Sequence, residues 1–354
     1  MIINIGNTEI GEGCKPYFIA DIAANHDGDL NRAYSLIELA KEAGADAAKF
    51  QNFKADTIVS KYGFCSINTQ LSHQKAWKKS VYETYRDASL PDEWSARLKE
   101  KCDSAGIEYM TSPYDYSSVD LADQYANCFK IGSGDITWTD IIKYIAQKGK
   151  PLLLATGASG MDDVHRAMAI IQKYNNKIVL MQCNTNYTAD ISNFKNINLN
   201  VLKTYRAAYP DVILGLSDHT RGHETVLGAI ALGARVIEKH FTDDNDRAGP
   251  DHKFSMTPVT WRDMVVSANL LYSALGDGIK RIEKNEEDTA VIQRRSLYYT
   301  QNIASGEKLR ETDLFPLRPI LDTGIPPYDT DKLIGKTLKK GVVKNDAVKW
   351  EDFI

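Results

Sequence analysis

No apolar run in this 354-residue chain approaches the roughly 20 residues needed to cross a bilayer, so no membrane span is expected. The opening stretch MIINIGNTEIGEGCKPYF lacks a basic segment followed by an apolar one, so no secretory signal is expected either, and the reading is cytoplasmic. An excess of one charge is also missing. Lys and Arg number 43 against 47 Asp and Glu, giving a net charge of -4, and bulk charge offers nothing to nucleic acid or to an anionic membrane. Cysteine is sparse and odd in number, at 14, 65, 102, 128 and 183, with no CxxC pair. That excludes a disulfide framework and a thiolate metal site and leaves reduced thiols. There is no HExxH, no HxH, and no GxGxxG after the first apolar run, where ADIAANHDG stands instead.

From Phe18 onward one pattern repeats: a short apolar run, a polar loop, then an amphipathic helical stretch. The runs are FIADIAAN (18–25), ADAAKFQNF (45–53), IEYMTSP (107–113), NCFKIGS (127–133), PLLLATG (151–157), KIVLMQCN (177–184), VILGLSD (212–218) and RVIEKHF (235–241). Several helical stretches end at a glycine just before the next run, as in KEAGAD, DSAGIE, QKGKP and ALGARV, which fits a left-handed C-cap. Eight strand–helix units with strands apolar throughout predict an α/β fold, a closed (β/α)8 TIM barrel. An open doubly wound sheet is the alternative. The connection 54–90 is oversized, and its HQKAWKKSVYETYR is expected to be helical and to lie over the barrel mouth. The barrel is assigned to residues 1–279, a charged linker to 280–294, and a small, mostly β domain to 295–354. A domain of that size is small for an independent core, which makes docking on another surface plausible.

In such barrels the active site lies at the C-terminal ends of the strands. Read there, the runs give Asn25-His26, Lys49 to Gln51, Thr111-Ser112, Lys130 with Ser133 and Asp135, Thr156-Gly157, Asn184 with Tyr187, Asp218-His219, and His240. The opposite ends show no comparable ring. Buried polar groups cost free energy unless paired, so stability alone does not account for the concentration. Lys49 and Lys130 with the hydroxyls of Ser112, Ser133 and Thr156 suit a phosphate or carboxylate. The alternative is Lys–Asp pairs that hold the barrel together. His219 and His240 end neighbouring strands and either share a divalent cation, leaving positions open for substrate oxygens, or are structural. His252 follows in the acidic loop after His240, while His73, His165 and His223 read as surface or helix residues.

IADIAANHDGDL, AGADAAKFQ, KIGSGD, ATG, GLSDHT, EKHFT and GPDH, taken in this order, resemble the sialic acid (N-acetylneuraminate) synthase family. SGEKLRETDLFPLRP and LIGKTLKKG resemble its antifreeze-protein-like (SAF) domain. The resemblance implies condensation of phosphoenolpyruvate with an open-chain N-acetylhexosamine, such as N-acetylmannosamine, to give a nine-carbon α-keto acid and phosphate. It also implies a domain-swapped homodimer and a divalent ion, Mn2+ or Mg2+, on His219 and His240. Lys49, Ser112, Lys130, Ser133, Asn184, Thr185 and Ser217 then fall at phosphoenolpyruvate positions or beside them. Gln51, Asp135, Tyr187 and Asp251 fall toward the sugar, Asn25 counts among the substrate-binding residues, and Arg318 matches an arginine that reaches the partner's sugar. Asp21 stands where such enzymes often carry a catalytic Glu, Ala155 where a serine is common, and QCNTNYTAD departs from C-T-x-x-Y-P.

Acceptors consistent with this plan are N-acetylmannosamine, its 6-phosphate, or a 2,4-diacetamido-trideoxyhexose of legionaminic or pseudaminic acid synthesis. A Schiff-base aldolase would need a lysine of depressed pKa, and the sixth run, ending QCN, offers none there. A non-catalytic sugar-binding protein would bind sugar without turnover.

Overall fold

The computed structural model describes residues 1–66, 74, 77 and 79–354, and the chain divides into two compact units, Met1–Gly276 and Asp277–Ile354. The first unit opens with a hairpin, β1 (Ile2–Ile5) and β2 (Thr8–Gly11), that the sequence reading had not assigned. Eight parallel strands follow: β3 (Tyr17–Asp21), β4 (Ala47–Asn52), β5 (Glu108–Pro113), β6 (Phe129–Ile131), β7 (Leu152–Ala155), β8 (Ile178–Cys183), β9 (Ile213–Asp218) and β10 (Ala234–His240). Each corresponds to one of the eight apolar runs. The sheet order is β5-β4-β3-β10-β9-β8-β7-β6, so the first and last strands of the series pair and the sheet wraps round as a barrel. Among the described residues no ladder joins β5 to β6.

Period-two alternation divides each strand between two cores. Phe18, Ala20, Ala48, Phe50, Leu152, Leu154, Leu214, Leu216 and Ile237 point outward and pack with the helices. Tyr17, Ile19, Ala47, Met110, Leu153, Val179, Met181, Ile213 and Val236 fill the lumen together with Ile3, Ile5 and Ile10 of the hairpin. The hairpin is therefore an apolar plug. It meets the lumen near the strand starts, since β10 pairs Val236 with Tyr17, the first residue of β3. Gly215 makes room here: a Cβ on it would lie 2.9 Å from both Met181 Cγ and the Val236 carbonyl.

Local signals set the helices. Asp29 caps Leu30–Glu42 by accepting from the amides of Asn31 and Arg32. Gly44, Gly106, Gly149 and Gly233, the four glycines singled out as helix ends, all adopt left-handed backbone. His165 is an exposed residue of the helix Met161–Ile171, and His223 caps Glu224–Ala231. Part of the stretch 73–86 expected to be helical, His73 included, lies outside the described residues. Its described part forms the helix Val81–Ala88, capped by Ser80 with Glu83. No helix among the described residues is long and apolar enough to cross a membrane.

The second unit holds the antiparallel pair β11 (Ser296–Tyr299) and β12 (Leu314–Leu317), with isolated bridges such as Ile303 to Val342 and Leu338 to Phe353. Its core is built from Leu297, Tyr299, Leu309, Ile325, Leu333, Leu338 and Val348. The segment 280–294, expected to be a linker, instead contains a 3-10 turn, Lys284–Glu286, and a helix, Glu287–Ile292. Ile320 donates its amide to the Val291 carbonyl at 3.1 Å, which attaches the segment to this unit.

The plug carries a direct expectation. Ile10 is fully buried while Ile2 is 55% exposed. Ile10→Ala should lower the free energy of unfolding by about 2–5 kcal/mol, read from the denaturant midpoint. Ile2→Ala should stay within about 0.5 kcal/mol.

Candidate active site

The same alternation that fills the lumen with apolar groups at one end turns polar at the other. Continuing inward from Ile19, Ala47 and Val236 are Asp21, Lys49 with Gln51, and Glu238 with His240. Lys49 Nζ lies 2.6 Å from Asp21 Oδ2, 3.4 Å from Ser112 Oγ and 3.9 Å from Glu238 Oε2. Lys130 Nζ is 3.2 Å from Glu238 Oε1, which also accepts a hydrogen bond from Ser217 Oγ at 3.1 Å. Gln51 donates to Asp21 Oδ2 at 3.2 Å. All four charged side chains are buried. Burial opposes the Lys49 ammonium, but Asp21 and Glu238 outweigh it and raise its pKa. Burial likewise works against the Glu238 carboxylate, yet Lys130 and Lys49 hold it down at about 2. Asp21 is pushed upward by burial, with Glu238 adding to this against the pull of Lys49. The lysines are thus paired with carboxylates and also stand convergent, so the two sequence alternatives for them coexist.

His219 and His240 come together at the same mouth, ring centroids 5.3 Å apart. His219 Nδ1 lies 2.9 Å from the Asn184 carbonyl. A carbonyl only accepts, so Nδ1 carries the proton and Nε2 is left with its lone pair. His240 Nε2 is 3.7 Å from Asp21 Oδ2 and its Nδ1 is 3.8 Å from Asp251 Oδ2. That Nδ1 is buried without a hydrogen-bond partner. Burial lowers the His219 pKa to about 4, helped by His240, and lowers that of His240 to about 3, helped by Lys49. Both rings are neutral near pH 7. Two neutral imidazoles, one with an orphaned nitrogen, beside Asp21 and Asp251 form a donor set that fits a divalent cation. Among the described residues no group of three or more His, Cys, Asp or Glu is arranged to hold a metal unaided.

A cavity of about 330 Å³ opens above these groups. Gln51, Ser133, Asp135, Tyr187, His240 and Asp251 line it together with Phe53, Trp77, Tyr85 and Tyr114. A wider cavity of about 790 Å³ shares Ala24, Trp77, Thr84, Ala88, Tyr187 and Pro250 with it and continues outward. The aromatic rings support one another: Phe53 packs on Tyr85 and Tyr114 at 5.4 and 6.0 Å, and Tyr187 packs on His219 at 4.3 Å. Burial raises Asp135 and Asp251 to about 6. Lys130 opposes the shift at Asp135, and Asp21 reinforces it at Asp251.

Other expected site residues are placed as follows. Ser133 Oγ accepts from the Gly157 amide at 2.9 Å. A Cβ on Gly157 would lie 2.6 Å from Thr185 Cγ2 and 3.1 Å from Cys183 Sγ, so the backbone passes close to both. Asn184 supplies the carbonyl that orients His219, and its side chain is held by Asn193 and Asn196. Asn25 was expected among the substrate-binding residues. It is wholly buried, and its amide bridges the Phe241 carbonyl and Ser255 Oγ, a structural tie between two loops. Three members of the expected polar ring point away from the lumen. Thr111 bonds Asn52, Thr156 bonds the Met181 carbonyl, and Asp218 pairs with Lys239. His26 packs edge-on against Trp94. Arg318 is an exposed residue of the second unit. The sequence reading missed Glu238, although it shares the parity of Val236 and His240. It also missed Phe53 and Tyr114, which directly follow β4 and β5 with the parity of Gln51 and Ser112, and Trp77 and Tyr85, for which no period-two or strand-end signal exists.

Comparison with known proteins adds the following. The NeuB family profile matches residues 36–280 and the SAF domain profile residues 294–354. The chain is 34% identical over 348 residues to N,N'-diacetyllegionaminic acid synthase of Legionella pneumophila, covering 96% of this chain and 95% of that one. It is 31% identical over 358 residues to pseudaminic acid synthase of Campylobacter jejuni, covering 99% and 100%. The crystal structure of N-acetylneuraminic acid (sialic acid) synthetase from Leptospira borgpetersenii matches with a TM-score of 0.71 and 26% identity, over 82% of this chain and 95% of that one.

Asp135 gives the site a measurable signature. Its carboxyl, raised to about 6 from an ordinary 3.8, favours the folded state below pH 3.8 and loses that contribution as pH rises through 6. Asp135→Asn removes the buried charge. The variant should be more stable than the parent by about 2 kcal/mol above pH 7, with the gain vanishing below about pH 4. Thermal or denaturant unfolding across that range is the check.

Proposed function

The chain belongs to the NeuB family, whose relatives include synthases of legionaminic and pseudaminic acid, and on that premise we propose that it condenses phosphoenolpyruvate with an N-acetylated amino sugar. The products are phosphate and a nine-carbon α-keto acid. The observation that carries this reading is the convergence of two ammonium groups and two neutral imidazoles at one barrel mouth.

Lys49 and Lys130 bind the phosphate and carboxylate of phosphoenolpyruvate, with Ser112, Ser133 and Ser217 as nearby hydroxyl donors. Each lysine must first share its ion pair with Asp21 or Glu238. Their fixed positions supply much of the rate, because holding two reactants in line makes a bimolecular step effectively unimolecular. His219 and His240 would hold Mn2+ or Mg2+, which as a Lewis acid polarises the aldehyde oxygen of the acceptor. C3 of phosphoenolpyruvate then attacks the aldehyde carbon, water adds at C2, and phosphate leaves by C–O cleavage. Asp21, beside Lys49 and His240, is placed to take a proton from that water, and its shorter reach than a Glu makes a water relay the expected path. A Schiff-base route fits poorly, since Lys49 is held protonated by its carboxylate neighbours.

The acceptor side of the inner cavity is walled by Phe53, Trp77, Tyr85, Tyr114 and Tyr187, and no lysine or arginine is among its described lining residues. Such a wall suits methyl groups, of which a diacetamido-trideoxy sugar presents more than N-acetylmannosamine or its 6-phosphate. The acceptor is therefore a 2,4-diacetamido-2,4,6-trideoxyhexose in preference to N-acetylmannosamine or its 6-phosphate. Asp135 and Asp251 remain as acceptors for its hydroxyl and amide protons. The active assembly is a homodimer in which the partner's Arg318 completes the sugar site.

Supplying phosphoenolpyruvate with each of the three sugars and weighing the products tests the reaction and the acceptor together. The diacetamido sugar should give the highest kcat/KM, and a chelator should abolish turnover until Mn2+ or Mg2+ is returned. Retention of the bridging oxygen on C2 would overturn the mechanism. Mixing inactive Lys49→Ala and Arg318→Ala proteins should restore turnover through hybrid dimers. No recovery would count against the shared site.

A further inference from the structure

Asp251 Oδ2 accepts one long hydrogen bond, 3.4 Å, from the Ala24 amide and lies 3.8 Å from His240 Nδ1. Among the described residues it has no ion pair with a lysine or arginine. Its position is therefore set by the backbone of its loop, and that loop is fastened one residue further on. His252 is fully buried. Its Nε2 lies 2.9 Å from Asp27 Oδ1 and its Nδ1 2.7 Å from Thr242 Oγ1. An ionised Asp27 only accepts, so Nε2 carries a proton and donates it, while Nδ1 shares a second hydrogen bond with the threonine hydroxyl. The other oxygen of Asp27 accepts from Arg247 Nε at 2.9 Å and lies within ion-pair distance of Arg247 Nη2, at 2.8 Å, and of Arg32 Nε, at 3.1 Å. Arg32 also donates to the Asn25 carbonyl and forks onto Asp243.

Asp27 lines the outer cavity, yet both its oxygens are occupied by these bonds, so it is a fastening rather than a ligand-binding group. Gly249 has no side chain because of the same contact. A Cβ there would lie 2.6 Å from His252 Cδ2, 2.9 Å from His252 Nε2 and 3.4 Å from Asp27 Oδ1. Residues 249–252 are thus pressed against the loop after β3, which also holds Ala24.

We propose that Asp27 and His252 are positioning residues for the acceptor sugar, a pin between the loops after β3 and β10 that fixes Asp251 at the cavity. The proposal rests on the reaction given above. The two lysines are carried by β4 and β6, so loosening the pin should disturb the sugar and spare phosphoenolpyruvate.

The test is steady-state kinetics with the diacetamido sugar and phosphoenolpyruvate, joined to calorimetric titration of that sugar, which needs no turnover. His252→Ala should raise the acceptor KM and Kd about tenfold or more and leave the phosphoenolpyruvate KM within about twofold. His252→Gln, which can still donate to Asp27, should recover most of the loss. A folded His252→Ala with unchanged acceptor affinity overturns the pin. So do equal losses toward both substrates, or a glutamine variant no better than alanine. If the alanine variant does not fold, Arg247→Met, which removes a hydrogen bond and an ion pair from Asp27, should raise the acceptor Kd about threefold. Parental affinity in that variant overturns the proposal. Wild-type protein that binds the sugar but releases no phosphate refutes the reaction while the Kd comparison still scores the pin.

Discussion

Four buried charges in the barrel lumen, Lys49, Lys130, Asp21 and Glu238, constrain everything around them. Ions taken out of water are tolerable only when paired and hydrogen-bonded, and even then such pairs seldom stabilise a fold relative to apolar packing. Their cost is offset elsewhere in the same cylinder. Below them the lumen is apolar, and Ile3, Ile5 and Ile10 of the N-terminal hairpin join its side chains in one core. The barrel is thus divided along its axis into an end that supplies stability and an end that holds unfavourable groups in place. Because two ammonium groups face two carboxylates, this inner cluster carries no net charge before a ligand arrives. An entering anion must draw Lys49 or Lys130 partly away from Asp21 or Glu238, or come with a cation. Neutral imidazoles at the same mouth would suit such a cation, since burial that keeps His219 and His240 unprotonated also keeps their lone pairs available.

Each imidazole is held by a different device. His219 is fixed by a backbone carbonyl, Asn184, whose side chain is itself tied to Asn193 and Asn196. His240 is instead flanked by two carboxylates, Asp21 and Asp251, supplied by two different loops or strand ends. Its surroundings depend on long-range registration of β3 with β10 and of the loops that follow them, and β10 pairs His240 directly with Asp21.

The membership in the NeuB family, the barrel, its eight strands and the polar end of its lumen were legible because apolar runs, loop chemistry and motif order all repeat. The hairpin was not, because β1 and β2 are four residues each and carry only three buried isoleucines between them. The aromatic wall was not legible either. Its members come from different strand ends and from the long insertion after β4, and only the folded chain brings Phe53, Tyr85 and Tyr114 into contact. Asn25 shows the opposite failure. It stands at a strand end among ring residues, yet its amide is spent joining Phe241 to Ser255, a use that nothing in its immediate sequence announces.

Glu238 and Lys239 show most sharply what sequence position alone leaves undecided. They are consecutive, both buried and both ion-paired across strands. Alternation turns Glu238 into the lumen, where it joins two lysines beneath a cavity, and turns Lys239 outward. There it meets Asp218, and that carboxylate also takes the hydroxyls of Thr220 and Thr225 at the start of the next helix. The outward pair is fully used in joining strand to helix and has nothing left for a ligand. The inward pair leaves Glu238 Oε2 without a hydrogen bond. A shift of one residue in the register of β10 would exchange the two and bury the chemistry behind the helices. The period of two, more than the identity of the charged residues, therefore decides which carboxylate is architecture and which belongs to the site.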